Sequence, residues 1–285
     1  MSTQITTAFV NQFSSNVQML SQQMGSLFRN AVDTESVTGE KAFFDQVSSV
    51  AAVKRTSRHA DTSLVTTPHE RRMVTLDDYE WADLIDDQDK VRMLADPTSV
   101  YAKTAAAAMG RAMDDAIITA LIGTSKTGAS GSTSTTLPSA QKIAHGSAGL
   151  TIAKLVSAKK ILDEADTDPS IPRYIAVSPE QIEDLLNITT VTSADYNTVK
   201  ALVQGEIDTF VGFKFIVTNR LTDDGTSRQC IAWAEDGCKL AIGKDVNARI
   251  SERADKSYAT QVYYCMSIGS TRMQETSVVE IACNE

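Results

Sequence analysis

RYIAVSPEQIEDLLN, residues 173–187, sets a short apolar run, Tyr174 to Val177, directly before a proline-led amphipathic segment, Pro179 to Leu186. The first reads as a strand and the second as a helix, because proline fits the opening turn of a helix and the run before it is too short for anything but a strand. Three further stretches continue the theme: VQGEIDTFVGFKFIVTNRL (203–221), IAWAEDGCKLAIGKDVNARI (231–250) and SYATQVYYCMSIGSTRMQETSVVEIACNE (257–285). They predict a short helix at Tyr196–Val203 and strands at Phe213–Thr218, Cys230–Ala234 and Lys239–Ile242. Two long strands, Ala259–Ser267 and Thr276–Ala282, follow, and Gly205, Gly212, Gly225 and Gly237 mark the turns. Strand and helix alternate irregularly, so the class is mixed α+β.

Upstream, a helix is expected from Asp96 to Ile122: Asp96 can cap, Pro97 suits the first position and Gly123 stops it. Tyr101, Ala105, Ala108, Met109, Ala112, Ala116, Ile117, Ala120 and Leu121 recur at helical spacing, and the length would be roughly 39 Å at 1.5 Å per residue. Residues 123–149 are rich in Gly, Ser and Thr and read as a long mobile loop. A second helix, Ile152–Ala165, has Thr151 as its cap and Ile152, Leu155, Val156, Ile161 and Leu162 on its buried side; Asp168, Pro169 and Pro172 end it.

Nearer the amino terminus, Val10, Phe13, Val17, Leu20, Met24, Leu27 and Ala31 alternate at spacings of three and four, the stripe of a helix over Phe9–Ala31. Such a narrow stripe needs a surface to cover it, either the protein's own body or a neighbour. Between Val47 and Trp81 the pattern turns extended, through Val50, Val53, Met73, Val74 and Leu76, with a polar middle at Arg58–Pro68. This predicts two long strands joined by a loop tip, with too few large apolar residues to bury itself. Arg58, Arg71 and Arg72 on one side, with Asp77, Asp78, Glu80 and Asp83 on the other, would fix register on a partner.

Composition narrows the function classes. A hydrophobic share of 42% and a charged share of 22% are those of a globular chain. No apolar run reaches the roughly 20 residues of a membrane span, and the amino terminus lacks the basic flank of a secretory signal. A net charge of −9 argues against a nucleic-acid-binding module. Cys230, Cys238, Cys265 and Cys283 lie among apolar strand residues and read as buried free thiols. His59, His69 and His145 have no spacing suited to zinc. Gly123 and Gly128 mimic a phosphate-binding loop, but Ala129 and Ser130 stand where Lys and Ser/Thr are required. The acidic run Asp77–Asp89 lacks the central glycine and terminal glutamate of a calcium loop. With no nucleophile elbow and no activated cysteine, the reading assigns no catalytic residue, cofactor or metal.

The order of these segments resembles the major capsid protein of tailed double-stranded-DNA bacteriophages, of the Hong Kong 97 type. The words that carry the likeness best are AVSPEQ (176–181) and GEIDTFVGFKFIVTNRL (205–221). The resemblance implies an amino-terminal arm at 1–46, with Val10, Phe13, Val17, Leu20, Met24 and Leu27 packing it. An extended loop falls at 47–81, with Arg58, His59, Arg71, Arg72, Asp77 and Asp78 at an inter-subunit contact. A peripheral domain takes 82–170 and 251–285 around a spine helix at 97–122, and an axial domain takes 171–250. It implies self-assembly into hexamers and pentamers around phage DNA, held without sequence-specific binding. Its partners would be a separate scaffolding protein, a portal at one vertex and a decoration protein; it would be assembled in the host cytoplasm and located in the virion. Some relatives carry a scaffolding region before the arm, for which this chain has no room, and no lysine lies between Lys54 and Lys90 to cross-link the loop. An encapsulating nanocompartment shell and a soluble α+β enzyme are the alternatives.

Overall fold

A computed structural model of the chain describes residues 22–59, 61–86, 98–165, 167–187 and 209–285. The contacts fall into two compact units, one of residues 1–26, 78–112 and 244–267 and the other of 27–77, 113–243 and 268–285. In chain order the first elements are β1 (Asp33–Ser36), β2 (Lys41–Val47), β3 (His69–Thr75), β4 (Asp77–Ile85), α1 (Thr98–Ile122), β5 (Ser125–Thr127), β6 (Thr133–Thr135) and β7 (Lys142–Ile143). After these come α2 (Ile152–Glu164), β8 (Arg173–Val177), α3 (Pro179–Asn187), β9 (Thr209–Phe210), β10 (Phe213–Val217), β11 (Ser227–Ala234), β12 (Cys238–Arg253), β13 (Ala259–Arg272) and β14 (Val278–Asn284).

The larger unit is built on a six-stranded sheet ordered β7-β14-β11-β8-β10-β9. Its centre is antiparallel: β11 pairs with β14 from Ser227 opposite Asn284 to Trp233 opposite Val278, and with β8 from Ile231 opposite Ala176. Its strands are almost wholly buried, Ile175, Ala176, Val177, Ile231, Ala232 and Trp233 being fully enclosed, which is why they read as continuous apolar runs rather than alternating ones. Leu155, Ala158 and Leu162 of α2 are buried, at the spacing of one helix face. The Thr151 hydroxyl accepts from the Lys154 amide at 3.3 Å, the expected cap. Val156 is exposed rather than on the buried side, because it sits one residue past Leu155 and so a third of a turn away from that face.

A second sheet of this unit, β2-β3-β5-β6, corrects two expectations. The two long strands expected to join at a loop tip are short, at 41–47 and 69–75, β4 begins separately at Asp77, and the described residues of 48–68 carry no strand. β2 and β3 pair from Lys41 opposite Thr75 to Val47 opposite His69 because Phe44 and Val74 bury themselves with Val37, Ala241 and Met273. Beyond Val47 that core ends, and Val50 and Val53 lie exposed. The Gly/Ser/Thr stretch, read as a loop, contains the hairpin of β5 and β6. Gly128 and Gly131 make its turn with φ of +90° and +68°, a conformation other residues adopt only under strain, and β5 is held against β3 through Arg72 opposite Thr127.

The remaining sheet is ordered β1-β12-β13-β4. In the larger unit β1 runs parallel to the start of β12, Asp33 opposite Lys239 through Ser36 opposite Ile242. In the smaller unit β4 lies beside β13. The charges of Asp77 and Asp78 therefore stand on a strand of a different sheet from Arg71 and Arg72, not across a shared hairpin. α1 buries Ala105, Ala107, Met109, Met113, Ile117, Ile118 and Leu121. It ends where the Gly123 amide bonds Thr119 O at 2.9 Å; the expected Asp96 cap lies outside the described residues, as does the predicted helix at 196–203.

Candidate assembly surface

The hairpin of β2 and β3 positions the basic residues singled out in the sequence, and it treats them differently. Side chains alternate along a strand, so Arg71 and Arg72 face opposite ways. Arg71 lies on the outer face, bonded to Asp45 at 2.5 and 3.2 Å and stacked 5.5 Å over the Phe43 ring. That guanidinium hydrogen bond pulls the Asp45 carboxyl below its usual range, against the opposing effect of burial. Arg72 turns inward, 3% exposed, and forms a two-point bond with Glu275 at 2.6 and 2.7 Å. Arg72, expected at an inter-subunit contact, is therefore buried against Glu275 within the unit.

Past the hairpin, Arg58 and His59 are exposed in the 48–68 segment, where His59 has φ of 61°. Asp77 and Asp78 are exposed at the start of β4. The sequence reading named Val50 and Val53 in the extended pattern but passed over Leu64 and Val65. Val47, Val50, Val53, Leu64 and Val65 are all substantially exposed, Leu64 at 94%. Aliphatic residues inside a stretch otherwise rich in Ser, Thr and charge were the signal available.

Of the residues expected to pack the arm, Val10, Phe13, Val17 and Leu20 lie outside the described residues. Met24 and Leu27 are exposed, 57% and 40%, and no α-helix runs through them. Gly25 adopts φ of +76°, which breaks a helix, and the amides of Leu27 and Phe28 donate to the buried Asp114 carboxylate at 3.1 and 3.2 Å instead of to carbonyls of a preceding helical turn. The anchors are Phe28, fully buried, and Ala31, whose carbonyl accepts the Trp233 indole N–H at 2.8 Å. Phe28, Trp233 and Tyr174 stack in a column at centroid spacings of 5.6 and 5.9 Å.

Around the hairpin root lies a polar cleft of about 640 Å³ lined by Asp45, His69, Glu70, Arg71, Arg72 and Glu275. Its arginines are tied to carboxylates, an arrangement that braces rather than activates a nucleophile. Among the described residues no group of three or more His, Cys, Asp or Glu is placed to hold a metal ion. Cys230, Cys238 and Cys283 are buried free thiols and Cys265 is half-buried.

This architecture is shared with phage shells. It matches the capsid of cyanophage P-SCSP1u with a TM-score of 0.74 at 18% identity, over 100% of this chain and 96% of that one. The capsid of cyanophage Pam1 matches at 0.74 and 12% identity, over 98% and 97%. A structure of Mycobacterium phage Che8 matches at 0.68 and 18%, over 96% and 97%. No curated protein sequence matches the chain. The fold is that of phage capsid subunits, in keeping with the Hong Kong 97-type α+β architecture expected from the sequence. The chain belongs to the phage capsid protein family, whose model matches residues 5–285. It is a structural protein of the virion, the major capsid protein of the head shell.

Proposed function

We propose that copies of this chain close into rings of six and of five that tile an icosahedral shell around double-stranded DNA, with residues 47–81 lying over an adjacent subunit. The observation that carries this reading is that Val50, Val53, Leu64 and Val65 are all exposed on a segment whose described residues form neither helix nor strand. Burying one such side chain stabilises by roughly 1.5–3 kcal/mol, too little for a lasting dimer but ample when each subunit meets several neighbours at once. Weak single contacts also let a growing shell discard misplaced subunits. Arg58 and His59, exposed in the same segment, and Asp77 and Asp78, exposed on β4, supply charge to set register.

The same reading assigns an arm to residues 1–46, a peripheral domain to 82–170 and 251–285, and an axial domain to 171–250. It takes a separate scaffolding protein, a portal at one vertex and a decoration protein as partners, and leaves the packaged DNA unread in sequence. A chain of net charge −9 suits a wall that does not grip what it encloses. The test is a double variant, Val53→Asp with Leu64→Asp, produced with the scaffolding protein and viewed by electron microscopy. The subunit's circular dichroism should be unchanged and closed shells should vanish; shells at ordinary yield would refute the assignment.

A further inference from the structure

Two buried guanidiniums share one carboxylate at the root of the hairpin. Glu275 sits in the turn between β13 and β14 and gives both oxygens to Arg72 of β3, at 2.6 and 2.7 Å. Arg272, fully buried, approaches from the other side: its Nε is 3.8 Å from Glu275 Oε1, just beyond bonding distance. The rest of the Arg272 side chain closes the end of α1, donating to the carbonyls of Leu121 at 2.8 Å, Gly123 at 2.7 Å and Thr135 at 3.2 Å. A cation at a helix carboxyl end is favourable in its own right. The Nε atoms of Arg72 and Arg272 are both buried without a hydrogen-bond partner, so neither guanidinium is fully satisfied. A buried donor left unmet is costly, and the Glu275 carboxylate, held by Arg72 through both oxygens, stands 3.8 Å short of the Arg272 Nε.

We infer that Glu275 is a shared counter-ion with two pairings, one gripping Arg72 and so the hairpin of β2 and β3, the other gripping Arg272 and so the end of α1. The two pairings compete for the same oxygens, which makes the site a two-state element rather than a brace. Loosening the hairpin hands Glu275 to Arg272 and tightens the helix end; seating the hairpin reverses this. In a shell, the device would let the loop segment move with a neighbour while the helix end stays closed. That consequence rests on the assembly reading above, whereas the hand-over is measured on the subunit alone and fails or stands separately from it.

The experiment is hydrogen exchange on the full-length subunit and two variants. In Arg72→Met the side chain keeps its bulk and loses its claim on Glu275, so the Gly123 amide, bonded to Thr119 O, should exchange about fivefold more slowly, the effect of one added hydrogen bond. In Glu275→Gln both ends lose their charge partner, and amides in 72–74 and at Gly123 should exchange about tenfold faster. A solved structure of Arg72→Met should show Glu275 within hydrogen-bond distance of Arg272 Nε. If Arg72→Met leaves Gly123 exchange unchanged or faster, Glu275 is a passive brace and the two-pairing inference is wrong.

Discussion

Trp233 offers the sharpest test of how the larger unit holds residues 27–32. Its indole is fully buried between Phe28 and Tyr174, and its N–H meets the Ala31 carbonyl at 2.8 Å. Trp233→Ala removes the ring, two stacking partners and one hydrogen bond. Large aromatic truncations in a core cost about 3–5 kcal/mol, and each aromatic pair contributes about 0.5–1.5 kcal/mol beyond its buried area. The alanine variant should therefore lose about 4–5 kcal/mol. Trp233→Phe preserves most of the stack and strands only the Ala31 carbonyl, so its cost should be about 1–2 kcal/mol. Urea unfolding followed by far-ultraviolet circular dichroism gives both values from the transition of the unit that contains residue 233. Limited proteolysis supplies a second readout, since the alanine variant should be cut within 27–32 before the native protein is. A loss under about 1 kcal/mol for Trp233→Ala, or equal losses in the two variants, would show that the column does not anchor this segment.

Two further outcomes follow from ionisable groups. Glu285 is bonded by Arg228, Gln181 and Ser178, and these hydrogen bonds, that of Arg228 foremost, hold its carboxyl at about 2 against the opposing effect of burial. Because the folded value lies below the unfolded one, its contribution is complete above the ordinary value of 4.5 and is lost as pH falls through about 2. Glu285→Gln should flatten the acid limb of a stability-against-pH curve in that window, and an unchanged limb would contradict the assignment. Among the thiols, burial pushes Cys238 up to about 12, and a hydrogen bond with Cys283 together with burial raises Cys230. Brief alkylation of the folded subunit should mark half-buried Cys265 first, with the other three reached only in denaturant; equal labelling of Cys238 and Cys265 would count against the packing described.

How far the sequence could be read depended on where each element finds its partners. β8, α3 and α2 were placed within a residue or two because their signals are local: an apolar run, a leading proline, a threonine cap. The described end of the helix expected over Phe9–Ala31, residues 22–31, is not α-helical because the amides of Leu27 and Phe28 are taken by Asp114, 87 and 86 positions away. The strand expected to end at Ile242 runs on to Arg253, yet KDVNARISER (244–253) is exposed for most of its length and carries no burial pattern to announce it. Arg71 and Arg72 are alike as letters. Only Glu275, 203 positions further on, decides that the second is buried, and no local periodicity encodes that. The exposed Leu64 was passed over for the same reason in reverse, since one leucine among polar neighbours has no period.

The position of β14 has a bearing on synthesis. This strand follows every other member of its sheet in the chain, yet it lies inside the sheet, between β7 and β11, and not at a border. While only the preceding residues have been made, β11 presents a bare edge and β7 has no strand of this sheet to pair with. Subunits interrupted before residue 278 therefore carry an unfinished hydrogen-bonding edge, and a nascent chain cannot complete this sheet until residues 278–284 have left the ribosome.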